Sequence, residues 1–139
     1  MQGTIRSYDE KALEVVKSKI KLITENTAIA MGCVAHVELI DTYPAVVNHK
    51  NETQHVIRIA KANFGEEKVK GDGLPLTASE DFSYYLKERP GCFYILGIKR
   101  AGMKYSLHTS YFDYNDSMIA SGALLFVRIV EDRLQTTIL

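Results

Sequence analysis

The chain has 139 residues in which 17 Lys and Arg balance 17 Asp and Glu, so it holds one domain or two small ones. Neutral charge without a basic run excludes an electrostatic binder of nucleic acid or anionic membrane. A hydrophobic content of 46% with 24% charged residues excludes a disordered tail.

Met1 to Arg6 contains no apolar run of signal-peptide length, and the longest apolar stretch, Ala123 to Val127, is broken by Arg128, which is too short to span a bilayer. Cys33 and Cys92 form no CxxC pair. They suit a reduced, cytoplasmic setting and read as buried thiols.

Gly3 to Tyr8, with Thr4, Ile5 and Tyr8, reads as a strand. Asp9 is a plausible N-cap for an amphipathic helix from Lys11 to Glu25, whose apolar residues Leu13, Val16, Ile20 and Ile23 recur at spacings of three and four. Turn residues between Asn26 and Gly32 are expected to stop it. From Cys33 to Tyr43, Ala35, Val37 and Leu39 alternate with His36, Glu38 and Ile40, the pattern of a half-buried strand closed by Pro44. Asn48 to Asn51 is a polar hinge, and a domain boundary is expected near Val47.

Val56, Ile57, Ala60 and Phe64 predict a second amphipathic helix over 51–64, stopped by Gly65. A Gly/Pro loop follows at Lys70 to Pro75. Ser79, ahead of Glu80, Asp81 and Phe82, reads as the cap of an acid-loaded helix running to Glu88. The nearly continuous apolar run Cys92 to Gly97 predicts a strand covered on both faces, in the middle of a sheet. After the loop Lys99 to Ser106, the polar and aromatic stretch Leu107 to Asp116 leads into a helix over 117–134, with Ile119, Ala123, Phe126, Val127, Val130 and Leu134 as its apolar stripe. This order of elements predicts an α/β fold with some α+β character.

No HExxH, CxxC, Walker or GxGxxG motif is present, and no two of His36, His49, His55, His108, Cys33 and Cys92 have close metal-site spacing. His36 reads as a strand residue, His55 as a helix-face residue, and His49 as a turn residue or a cleft-lining one. His108 differs, because it stands in an aromatic loop just before a helix, where side chains converge on clefts. Its plain alternative is an imidazole that holds its loop by a backbone hydrogen bond. Asp113, Asn115 and Asp116 are first of all candidates for an Asx turn and for the last helix's cap.

Four blocks in order carry a resemblance. They are Gly3-Thr-Ile-Arg-Ser-Tyr8; Tyr43-Pro44 with Val47-Asn48; Ser79-Glu-Asp-Phe-Ser83 with Pro90-Gly-Cys-Phe-Tyr-Ile-Leu-Gly97; and Leu107-His-Thr-Ser-Tyr-Phe-Asp-Tyr-Asn-Asp116 followed by Gly122. Together they resemble the C-terminal part of the metal-dependent aminoacylase/amidohydrolase family, which includes hippurate hydrolases and plant indole-acetyl-amino-acid hydrolases. The resemblance implies that residues 1–47 are the second, β-α-β half of a ferredoxin-like lid or dimerisation domain. Residues 48–139 would be the C-terminal portion of an α/β metallo-hydrolase catalytic domain.

The resemblance also implies the chemistry: hydrolysis of the amide in N-acyl amino acids, with two divalent ions, zinc or manganese, positioning a water for a glutamate base. His108 falls on the family's last metal-ligand histidine. Arg6 falls on a lid arginine suited to holding a substrate carboxylate, and Glu80 and Asp81 match a block near the active-site cleft. The family's Cys-x-His segment, Glu-Glu pair, further histidine and lid histidine have no counterpart here. The chain alone is therefore expected to be an inactive fragment that binds no metal stably, and that self-associates or needs a missing N-terminal portion. The alternatives are a stand-alone dimerisation or small-ligand module, and a mononuclear site built from His108 with Asp113 or Asp116.

Overall fold

The computed structural model describes residues 1–71, 73–76 and 78–139; Asp72, within the loop expected over 70–75, lies outside the described residues. Four α-helices form: α1 (Glu10–Ala30), α2 (Lys50–Phe64), α3 (Phe82–Glu88) and α4 (Ile119–Leu134), with single 3-10 turns at Glu66–Lys68 and Asp116–Met118. No helix among the described residues is long and apolar enough to cross a membrane.

The helix ends show how local chemistry sets the boundaries. Asp9 starts α1 through its Oδ1, which accepts from the Ala12 N–H at 2.7 Å. The helix then runs five residues past Glu25, because Asn26 turns its amide back to donate to the Leu22 carbonyl at 2.7 Å instead of breaking the turn. It stops at Gly32, whose φ is +67°. There the Gly32 N–H donates to Ile29 O at 3.0 Å and the Cys33 N–H to Ala28 O at 2.8 Å, the paired bonds of a left-handed helix stop. Gly65, at φ +93° and ψ 150°, ends α2 in a region of backbone space open chiefly to glycine.

Two compact units result, Met1–Asn48 with Asp72–Gly91, and His49–Gly71 with Cys92–Leu139. In the first, α3 and the segment ahead of it are tied to residues 8–43 mainly by polar contacts. Tyr84 Oη donates to Thr42 O at 2.5 Å, Tyr8 Oη to Pro75 O at 3.2 Å, and Lys87 Nζ meets Glu10 Oε1 at 2.9 Å. The Tyr43 and Tyr84 rings meet edge to face at 6.1 Å. Asp41, and less so Glu14, pull the Lys17 ammonium pKa above its ordinary value. Among the described residues of this unit only Ser83 and Leu86 are buried, and no residue of α1 is.

The second unit has a small core of Ile59, Ala60 and Leu125, against which Phe64, Val69, Tyr94 and Ile129 pack. A polar column borders the α2 and α4 contact: Arg58 donates twice to the Asp132 carboxylate, at 2.7 and 3.1 Å, and Arg133 pairs with Glu52. Beyond α4 the chain doubles back through Gln135, at φ +51°. The buried carboxylate of Glu131 accepts from the N–H groups of Ile138 at 2.5 Å and Leu139 at 2.9 Å, and from Arg128 at 2.6 Å. These donors hold its pKa down to about 2.

The α/β expectation is overturned, because none of the described residues forms a strand. The segments 3–8, 33–43 and 92–97 were each expected as strands, two of them in a half-lid of β-α-β type. The alternation is partly visible in burial, since Ala35 and Val37 are half-buried while Val34, His36 and Ile40 are exposed. Alternation reports which face is covered, whereas a strand also requires a partner backbone at about 4.8 Å to form the ladder. No such pairing forms between these segments. Two local expectations fail as well: Ser79 does not cap α3, which starts at Phe82, and Cys33 is exposed, not buried.

The exposed surface gives the same result in numbers. It totals 11540 Å², whereas a compact chain of this mass exposes about 7,200 Å² and two compact half-size domains together about 8,700 Å². Leu125→Ala is expected to destabilise the second unit by about 2–4 kcal/mol, and Arg58→Ala by much less because the arginine is exposed; urea unfolding of both variants checks the order. Since the folded pKa of Glu131 is depressed, its contribution is present above about 4.5 and lost as pH falls through about 2. Acid titration followed at the Ile138 and Leu139 amides is expected to show release only near that lower value, and Glu131→Gln to abolish the transition.

Candidate functional site

His108 sits at φ +67°, one of two non-glycine residues in the left-handed region among those described. A histidine there costs backbone energy on the order of 1 kcal/mol that a neighbouring turn must hold in place. The turn is made locally: Thr109 Oγ1 donates to Ser106 O at 3.1 Å, and the Phe112 N–H donates to Thr109 O at 3.1 Å. Tyr105 and Tyr111 bracket the loop with ring centroids 5.2 Å apart, and Phe112 meets Tyr114 at 4.8 Å. The imidazole is exposed. Strained backbone of this kind clusters at functional sites.

The carboxylates near His108 in sequence are engaged elsewhere or stand apart. Asp113 pairs with Arg100, and Asp116 begins the 3-10 turn that precedes α4. Asn115 Oδ1 accepts from Ser117 Oγ at 2.7 Å, so neither Asp113 nor Asp116 provides the expected side-chain cap. Among the described residues no group of three or more His, Cys, Asp or Glu side chains is arranged to hold a metal ion. Zinc needs three or four protein donors, so one imidazole does not fit a resident metal. The mononuclear reading with Asp113 or Asp116 fails on the same ground.

Arg6, Glu80 and Asp81 belong to the first unit. Arg6 is exposed, and its Nη1 donates to Ser79 Oγ at 3.5 Å, the long end of hydrogen bonding. Ser79, read as a cap, thus faces the arginine instead. Glu80 is half-buried and works through its backbone: Glu80 O accepts from Ser83 Oγ at 2.7 Å and from the Ser83 N–H at 3.3 Å. Its Oε1 also accepts weakly from the Phe82 N–H at 3.5 Å. The exposed Asp81 takes the N-cap place of α3 without a side-chain bond. The block beside Arg6 is therefore a helix start, brought next to the arginine across 73 residues of sequence.

Periodicity did not reveal the polar column of the second unit. His55 Nε2 lies 2.9 Å from Asp132 Oδ2 but points off the hydrogen-bond direction and has no aligned acceptor. Arg58 first, and His55 to a lesser extent, keep the Asp132 carboxyl below its ordinary value. Glu52, His55 and Arg58 recur every third residue on α2, and only the opposing pair Asp132 and Arg133 makes that spacing meaningful. Burial raises the Cys92 thiol above its ordinary value.

Comparison with known proteins adds a family. The family model described as Peptidase family M20/M25/M40 matches residues 2–132. Among relatives, the chain is 33% identical to the putative amidohydrolase YhaA of Bacillus subtilis, across 87% of this chain and 31% of that protein. It is 31% identical to thermostable carboxypeptidase 1 of Saccharolobus solfataricus, across 89% of this chain and 31% of that protein. It is 30% identical to the IAA-amino acid hydrolase ILR1-like 4 of Arabidopsis thaliana, across 88% and 29%. The chain thus spans about a third of the length of these curated relatives. No solved structure matches.

Because the strain at His108 is local, His108→Gly is expected to raise the stability of the second unit by up to about 1 kcal/mol, and His108→Ala to leave it nearly unchanged. Denaturant midpoints of the two variants check this.

Proposed function

The chain belongs to peptidase family M20/M25/M40, and from that premise we propose that it is the C-terminal portion of a metal-dependent amidohydrolase that cleaves the amide of N-acyl amino acids. The match over residues 2–132 carries this reading, because it takes in Arg6, Glu80, Asp81 and His108 together. In the whole enzyme His108 ligates one of the divalent ions, zinc or manganese. Arg6 presents its guanidinium to the substrate carboxylate, a pairing whose planar, two-point geometry suits that group. The 80–81 helix start lies beside the arginine and shapes its approach. The name of the Arabidopsis relative supports an amino-acid conjugate as substrate.

Alone, the chain supplies one donor for an ion that needs several, and affinity collapses when donors are missing. Calorimetry with zinc, manganese and cobalt is expected to give no stoichiometric binding, and N-acetyl and hippuryl amino acids are expected to stay intact. Turnover at about 1 s⁻¹ or faster, the ordinary range for enzymes, would contradict the reading.

One observation favours the second reading, a non-catalytic association module. Val15, Leu22 and Ile29 recur every seventh residue on α1, and all are more than half exposed, a seam suited to a partner helix. Sedimentation equilibrium discriminates: a dimer dissolved by Leu22→Asp supports this second reading, and a monomer removes it.

A further inference from the structure

One buried carboxylate in α4 holds a stretch of the chain's own backbone. Glu131 exposes only 8% of its side chain, and its Oε1 accepts the N–H groups of two consecutive residues, Ile138 and Leu139. Its Oε2 accepts from Arg128 Nη1 at 2.6 Å, and the same Nη1 donates to Leu139 O at 3.1 Å. Carboxylate and guanidinium thus grip Leu139 by both its N–H and its main-chain oxygen. Successive backbone N–H groups aimed at one anion are a recurring way of holding charge, and charge-assisted bonds are about twice as strong as neutral ones.

The side chains of the held segment take no part in this grip. Thr136 and Thr137 are exposed, and Ile138 and Leu139 are 56% and 70% exposed. What Glu131 and Arg128 recognise is therefore main chain, which every polypeptide carries. The turn that delivers it is strained: Gln135 stands at φ +51°, where glycine is the usual residue after a helix. Bonds from the Thr136 N–H to Glu131 O and from Gln135 Nε2 to Asp132 O help to hold that hinge closed.

A cavity of about 380 Å³ lies beside the segment, lined by Thr136 and Thr137 and by Arg58, Ala62 and Asn63 of α2. Glu131 lines it too, so a chain entering the cavity meets the carboxylate. The volume falls within the usual range of ligand sites, about 300–1,000 Å³. All of these groups belong to the second unit. We propose that Glu131 and Arg128 form a peptide-binding site that reads main chain, with residues 138 and 139 as its resident occupant. The ligand it takes when these residues lift away is an extended segment of another polypeptide, bound with little regard to its side chains. The held segment therefore blocks its own chain's site.

The experiment uses the whole chain carrying Ile138→Pro and Leu139→Pro, which removes both N–H donors and leaves Glu131 and Arg128 in place. The probe is N-acetyl-tetraalanine amide, whose methyl side chains offer nothing to recognise. NMR shifts at Arg128 and Glu131 are expected to show it binding the doubly substituted chain about tenfold or more tightly than the unsubstituted one, where it competes with a tethered segment at an effective concentration on the order of millimolar. Adding Glu131→Gln is expected to weaken that binding about tenfold, because the acceptor loses its charge, and a probe methylated at every backbone nitrogen is expected not to bind. Circular dichroism verifies helicity, and the unsubstituted chain gives a reading without any variant: excess probe speeds hydrogen exchange at the Ile138 and Leu139 amides as it displaces them. Equal binding to both chains, binding that survives Glu131→Gln or the methylated probe, or exchange at those two amides unchanged by excess probe each overturn the proposal.

Discussion

Apolar surface left in water forgoes about 25 cal/mol for each Å², and this constraint organises the rest of the molecule. The chain makes well-formed helices, yet among the described residues it buries only four hydrophobic ones: Ile59, Ala60, Leu86 and Leu125. Leu86 alone serves the first unit, so the structure there rests on tyrosine hydroxyls, ion pairs and the edge-to-face rings of Tyr43 and Tyr84. Such contacts individually contribute about 0.5–1.5 kcal/mol. The second unit has a genuine if small core, and there the helices pack side to side. The chain spans about a third of the length of the curated relatives it matches.

How much of this was legible in the sequence depends on whether the signal was local. Asp9 and Gly65 act within a few residues of themselves, so capping chemistry located the start of α1 and the end of α2 closely. Asn26 deceived because its side chain can either break a helix or bond back to it, and only the Leu22 carbonyl decided. The strands failed for a different reason. Alternation over 33–43 and the apolar run 92–97 describe side chains accurately, but a ladder belongs to two segments, and no second segment offers itself.

The site follows the same division. The blocks around Arg6, Ser79 to Ser83 and His108 were found by resemblance, and the family match covers them all. The left-handed backbone of His108 and the Arg6 to Ser79 hydrogen bond were not legible, since the first is a property of conformation and the second spans 73 residues. The column of Glu52, His55, Arg58, Asp132 and Arg133 was missed because each member alone looks like an ordinary surface charge. Its strength lies in the pairing of α2 with α4, which no single-helix pattern contains.

The central claim is that the isolated chain leaves apolar surface uncovered, and the heat capacity change of unfolding measures buried surface directly. Ordinary domains of this length give about 1.7–2.1 kcal/mol/K, and the exposed area of 11540 Å² lowers the expectation to about seven-tenths of that range. Differential scanning calorimetry across several pH values is expected to return about 1.2–1.5 kcal/mol/K. A value within the ordinary range would mean that the chain closes a full core by itself, and would contradict the account.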